Sequence, residues 1–227
     1  AVKPVNHPGV RVSKSVWRGT NAIMSWSWAG CEGNKAEVEV YSDQPQVELL
    51  INGKSVGRQK IKECKALFKV KYAPGTVTAV AYDASGRETG RSELSSADSP
   101  LKIALRPEKR DVKPGEIVYV PVNIEGTNDI VESGADRKLT VTVDGGDLLA
   151  FGSANPCTEE QYHTGCFTTY YGRALAIIRA AEAGMIKVSA TDGTLTGTTE
   201  ISVKPLTSQI NISLTKQKQN SNKVSLS

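Results

Sequence analysis

The stretch VELLINGKSVG, residues 47–57, decides how the rest of the chain is read. Val47, Leu49 and Ile51 alternate with Glu48 and Leu50, the period of two that marks a pleated strand with one buried face. Asn52-Gly53 follows, and both residue types accept the positive φ angles of a two-residue hairpin turn. Lys54 and Ser55 open the returning strand. A polar, basic tip is then explained by turn geometry and solvation: Asn and Gly supply the left-handed backbone, Lys and Ser a wet end.

Outward from this hairpin the same grammar repeats. IMSWSW (23–28), AEVEVYS (36–42), ALFKVK (66–71) and TVTAVAY (76–82) read as strands, separated by turn signals at Gly30 to Gly33, Pro74-Gly75 and DASGRE (83–88). In TVTAVAY the small residues Ala79 and Ala81 share a face with Val77, which suits close packing of two sheets. The Ser-rich SSADSP (95–100) breaks the series and reads as an interdomain linker. A second series follows: LKIALR (101–106), EIVYVPVNI (116–124), KLTVTV (138–143), RALAIIRA (173–180), GMIKVSA (184–190) and TLTGTTEISV (194–203). RALAIIRA is helical by propensity, but Gly172 and Gly184 bracket it and strands follow it, so a strand is predicted. Between Gly152 and Gly172 lies a long loop, a length usually associated with function or docking. Strands recurring every ~8–12 residues without intervening helices predict an all-β protein. The expected architecture is two tandem immunoglobulin-like antiparallel β-sandwich domains, 1–98 and 99–204, with a polar tail at 205–227 in which QINISL could add an edge strand.

Composition narrows the function. The chain has 227 residues, 39% of them hydrophobic, enough for one large or two small cores. No apolar run approaches the roughly 20 residues of a membrane span, so no membrane partner is expected. The net charge of +4 is unevenly placed, at +4 over 1–100, −3 over 101–204 and +3 in the tail. No basic cluster is dense enough for a nucleic-acid footprint. The start, AVKPVNHPGVRV, has no hydrophobic signal region and no initiator Met. It reads as a piece of a longer protein, expected in a bacterial cytoplasm rather than secreted. Cys31, Cys64, Cys157 and Cys166 show no zinc-type spacing and only His7 and His163 accompany them, so neither a metal nor another cofactor is expected. The thiols are expected free and at least half-buried, although Cys157 and Cys166 are close enough in sequence to meet across a loop.

Catalytic motifs are missing: no nucleophile elbow, Walker loop, zinc-protease helix or dinucleotide fingerprint occurs. DGGD (144–147) reads as a turn rather than a calcium loop. His163, with Glu159, Glu160 and Cys166 near it, lacks an evident orienting group for a Cys–His dyad. Asn211-Ile212-Ser213 matches a glycosylation triplet of the kind that arises by chance. The aromatic residues carry more. Trp26 and Trp28 are two apart and would face one way on a strand, forming either a sandwich core or interface, or a sugar-stacking platform. Exposure of these and of Trp17 would separate the readings. Tyr162, Tyr170 and Tyr171, with His163, lie in or beside the long loop and are candidates for carbohydrate or interface contact.

The ordered motifs resemble a family. WSWAGCEGNKAEVEVYSDQPQVELLINGKSVG (26–57) and YAPGTVTAVAYDASGRE (72–88) resemble the segment after the catalytic barrel in glycoside hydrolase family 2 enzymes, chiefly β-galactosidases. VTVDGGDLLAFGSANP (141–156) and TTYYGRALAIIRA (168–180) are similar to the immunoglobulin-like domain that follows it there. The resemblance covers about residues 22–204. It implies a retaining hydrolase whose two glutamates sit on a (β/α)₈ barrel, one of them after an Asn. This chain has no Asn-Glu dipeptide and no βα repeat, so no catalytic residue is assigned to it. The expected function is a non-catalytic accessory region, partnered by the barrel of the same polypeptide and open to carbohydrate or homo-oligomer contacts. The alternatives are an independent carbohydrate-binding module and a structural repeat of a bacterial surface protein.

Overall fold

A computed structural model describes residues 1–4 and 20–206. His7, Trp17, the glycosylation triplet and QINISL therefore lie outside the described residues.

The protein is all-β. The first sandwich contains β1 (Val2–Pro4), β2 (Lys35–Tyr41), β3 (Gln46–Ile51), β4 (Lys54–Lys60), β5 (Lys65–Lys71), β6 (Thr76–Tyr82) and β7 (Glu88–Ser95). Its sheets run β1-β2-β5 and β4-β3-β6-β7, all antiparallel. The second holds β8 (Lys102–Leu105), β9 (Asp111–Val112), β10 (Ile117–Glu125), β11 (Lys138–Asp144), β12 (Gly146–Gly152), β13 (Cys166–Thr168), β14 (Arg173–Ala180), β15 (Gly184–Thr191) and β16 (Thr196–Val203). Its sheets run β12-β14-β10-β8 and β13-β11-β15-β16-β9, antiparallel except where β9 joins β16. Alternation builds each core. Val38, Val47, Leu49, Phe68 and Val77 meet between the first pair of sheets, and Val120, Ile124, Leu139, Ile178, Ile186 and Ile201 between the second. RALAIIRA is a strand because Ala174, Ala176, Ile178 and Ala180 point inward together, a period that only a strand provides.

The hairpin tip has the expected turn, with φ of 50° at Asn52 and 75° at Gly53. Its polarity has a further use. The Asn52 carboxamide donates to the Pro74 carbonyl at 2.9 Å and accepts from the Thr76 N–H at 2.8 Å. The tip thus fastens the loop that leads into β6.

Four features differ from the sequence reading. IMSWSW forms no strand beyond an isolated bridge between Ile23 and Val2. Its backbone groups are taken by side chains and by the second sandwich instead: Trp28 N–H bonds the Tyr72 hydroxyl, Trp26 C=O accepts from Ser96 Oγ, and Ser27 C=O accepts from Ser133 N–H. Strand β7 forms where the sequence reading places no strand; like β4, which the hairpin turn announces, it is a mostly polar and exposed sheet edge without an apolar alternation. The loop 152–172 is partly ordered structure, with a 3₁₀ turn at Tyr162–Thr164 and strand β13. Glu160 fastens it, accepting from both the N–H and the hydroxyl of Thr168 at 3.0 Å. Finally, all four cysteines are free, but Cys64 and Cys157 are exposed rather than half-buried.

Candidate interaction site at the junction of the sandwiches

The linker between the sandwiches is held rather than loose. Ser96 is buried and its hydroxyl donates to Trp26 C=O at 2.6 Å. Ala97 N–H bonds Ser27 Oγ at 2.8 Å, and Asn128 receives Asp98 N–H while donating to Ser96 C=O. Beside it sits the centre of the junction, the carboxylate of Glu132, which is 4% exposed. One oxygen accepts from Ser27 Oγ at 2.6 Å; the other accepts from Ala29 N–H at 3.0 Å and from Gly134 N–H at 2.8 Å. Ser133 Oγ donates to Ser25 Oγ at 2.8 Å alongside. A buried carboxylate is tolerated only when its lone pairs are filled, and here two of three donors come from the other sandwich.

The aromatic candidates divide around this junction. Trp26 and Trp28 present no face to solvent, being 0% and 1% exposed. Trp26 packs edge-on to Tyr72 at 5.0 Å and donates its indole N–H to Ala73 C=O. Burial pushes the Tyr72 phenol pKa up, so its hydroxyl stays protonated while it bridges Trp26 and Trp28. Trp28 meets Tyr171 of the second sandwich edge-on at 5.9 Å. Tyr171 and Gly172 form a tight turn with φ of 52° and 70°, closed by the Tyr170–Arg173 pair. A bulky residue at positive φ is strained, and the Trp28 contact occupies the ring that the strain presents. A side chain at position 172 would collide with the Glu132 carbonyl at 2.3 Å, so glycine lets the turn seat against the Glu132 segment.

Above the junction lies a groove of about 720 Å³. The first sandwich lends it Ile23 and Met24; the second lends Ser153, Tyr162, Tyr170, Arg173 and Leu175. Tyr162 stacks on Phe167 at 5.1 Å and leaves its other side open. Two polar groups in the lining are underused. Ser153 Oγ is buried with no hydrogen-bond partner among the described residues. Arg173 donates to Tyr171 C=O and forms no ion pair among the described residues; desolvation lowers its pKa, and the more distant Glu125 charge opposes that only in part. His163 is exposed on the 3₁₀ turn and does not line the groove. Glu132, Ser27 and Ser153 escaped the sequence reading; a lone Glu between Val131 and Ser133 carries no motif. No described group of three or more His, Cys, Asp or Glu is placed to hold a metal ion.

Residues 33–90 match a domain of unknown function (DUF4982), and residues 102–200 match glycoside hydrolase family 2 C-terminal domain 5. A solved glycosyl hydrolase family 2 member from Bacteroides cellulosilyticus aligns at 28% identity and a TM-score of 0.76, over 89% of this chain and 28% of that one. Residues 102–200 are a glycoside hydrolase family 2 C-terminal domain by this match, and the chain as a whole resembles part of family 2 enzymes. A β-glycosidase from Bacteroides vulgatus aligns at 25% identity and a TM-score of 0.67, over 80% of this chain and 24% of its own length. A family 2 β-glucuronidase, at 16% identity and a TM-score of 0.69, shares the fold. The region thus spans about a quarter of the length of these structures. No curated protein matches it. Tyr162, Tyr170, Tyr171 and Glu132 fall inside the family 2 match, whereas the 23–28 segment that completes the junction falls outside both matched spans.

Proposed function

We propose that this family 2 region is the non-catalytic accessory part of a β-galactosidase-like retaining hydrolase, and that its two sandwiches act as one rigid buttress for the catalytic barrel. The observation that carries the reading is the Glu132 network. A module that only tethered sugar would have no need to lock its neighbour, whereas a support transmits position only if its parts cannot swing. The chain carries no Asn-Glu pair and no βα repeat, which supports the reading that the chemistry belongs to another part of the polypeptide.

The test uses the full-length parent and this chain alone. The purified chain should hydrolyse no aryl-β-galactoside and should migrate unretarded in gels cast with polysaccharide. Deleting the region from the parent should lower its thermal stability and its turnover together. Turnover by the chain alone that vanished on changing one of its own acidic residues would overturn the reading, and retardation in the gels would favour the carbohydrate-binding module.

A further inference from the structure

The centre of the outward face of the β12-β14-β10-β8 sheet is apolar, between the Arg179–Asp147 pair at one end and Asn123 and Arg173 at the other, where a solvated sheet face would alternate to polar residues throughout. Pairing places Tyr119 beside Ile177 and Pro121 beside Leu175 on that face. A bulge in β12 adds Leu149. Ile117, Tyr119, Leu149 and Leu175 are 37–46% exposed, and the groove continues the patch to Met24 and Tyr162, at 66% and 53%. Scattered exposed hydrophobic residues are ordinary, but a contiguous patch ending in a groove marks an interaction surface.

We propose that the rest of the same polypeptide docks here, filling the groove with apolar side chains, setting an acidic side chain against Arg173 and giving Ser153 Oγ its missing partner. The inference rests on the reading of the chain as one part of a larger hydrolase. Three observations commit the surface to this occupant. The patch is continuous with the interface between the sandwiches, since Ile23 and Met24 enter the groove from the segment that carries Ser25 and Ser27. Two polar groups lie at its end, a buried hydroxyl without a partner among the described residues and the Arg173 cation, on which Glu125 acts only from beyond the ion-pair distances found among those residues, the arrangement left when a polar partner is taken away. The related structures are about four times as long as the part this chain matches, so there is ample polypeptide to cover the patch. A sugar fits less well, because its hydroxyls would face Leu175, Ile177 and Met24.

Hydroxyl-radical footprinting of the parent and of the isolated chain reads this directly, with Met185 on the opposite sheet as reference. Oxidation of Met24 and Tyr162 should fall about fivefold or more in the parent, as at the dry centre of an interface. Leu175→Glu and Arg173→Glu in the parent should each restore it toward the rate of the isolated chain, and the same substitutions in the isolated chain should leave its melting temperature within a few degrees. Equal oxidation in parent and chain would overturn the proposal. So would protection in the isolated chain that disappears on dilution, which would mean that a second copy covers the groove. An unprotected groove in a parent that still loses turnover on deletion of the region sinks the docking site and leaves the buttress standing. A protected groove in a parent without glycosidase activity supports docking and sinks the hydrolase reading.

Discussion

Replacing Glu132 tests whether the two sandwiches are one mechanical unit. In Glu132→Ala, Ser27 Oγ, Ala29 N–H and Gly134 N–H all lose their acceptor. Hydrogen bonds to a charged group are each worth about 1.5–3 kcal/mol, so the two that cross the junction total about 3–6 kcal/mol. Two corrections lower this. Water can reach Ala29, which is exposed, and the variant no longer buries a carboxylate. The expected loss is about 2–4 kcal/mol. Glu132→Gln should cost only about 1 kcal/mol. Its amide oxygen can keep both N–H donors, and its NH₂ can face Ser27 Oγ. That oxygen already accepts from Ala97 N–H, so it has a second lone pair to offer but must leave its own proton unpaired. Urea titration followed by tryptophan fluorescence is the assay, because Trp26 and Trp28 flank the site. The native chain should unfold in one transition, Glu132→Gln likewise, and Glu132→Ala in two, as the sandwiches part company before they melt. Stability of Glu132→Ala within about 0.5 kcal/mol of native would refute the latch. Equal damage from Gln and Ala would refute the hydrogen-bond account and point to the charge.

Asn52→Ala should cost about 1–2 kcal/mol in the same titration, because it removes two hydrogen bonds and a residue suited to positive φ; Gly53→Val should cost at least about 1 kcal/mol for the backbone alone. Gly172→Ala should cost about 2 kcal/mol or more, since the new methyl meets the Glu132 carbonyl and φ is positive; a neutral result would mean that the turn does not seat there. Asp192 has its pKa held down to about 2, first by the Leu195 N–H and then by Arg137 and the Thr194 N–H, against a desolvation cost. A depressed folded-state value makes a contribution that is complete above the unfolded value of 3.8 and is lost as pH falls toward 2. Discounted for its position in a surface turn, that contribution is about 1–2 kcal/mol. Asp192→Asn should abolish this part of the acid dependence, and an unchanged slope of stability between pH 4 and 2 would contradict it.

Much of the fold was legible because burial leaves a local trace. Where one face of a strand is covered, every second residue must be apolar; VELLI and RALAIIRA carry that trace, whereas TVTAVAY carries it in part, with Thr78 and Val80 buried as well as Val77. Asn52-Gly53 is legible for the same reason, since its backbone angles restrict the residues that can adopt them. Strand β7 was not, and β4 was legible only through the turn before it, because a sheet edge demands hydrogen bonds along one side only and tolerates polar residues throughout. The aromatic candidates were visible as residue types but not as a site. Tyr171 meets a tryptophan 143 positions earlier, and no spacing encodes that meeting.

By itself, then, the order of residues determined the all-β class, most strand positions and the turn at 52–53, all of which depend on contacts between near neighbours or on repeating periods. Tertiary structure alone decided that Ser25, Ser27, Glu132 and Ser133 form one buried network, that Ser153 Oγ has no partner among the described residues, and that an apolar patch on a sheet face runs into a groove shared by both sandwiches. The physical reason is that a buried polar group is selected by its partners in space. Ser27 and Glu132 are 105 positions apart, and either one read alone is an ordinary surface residue.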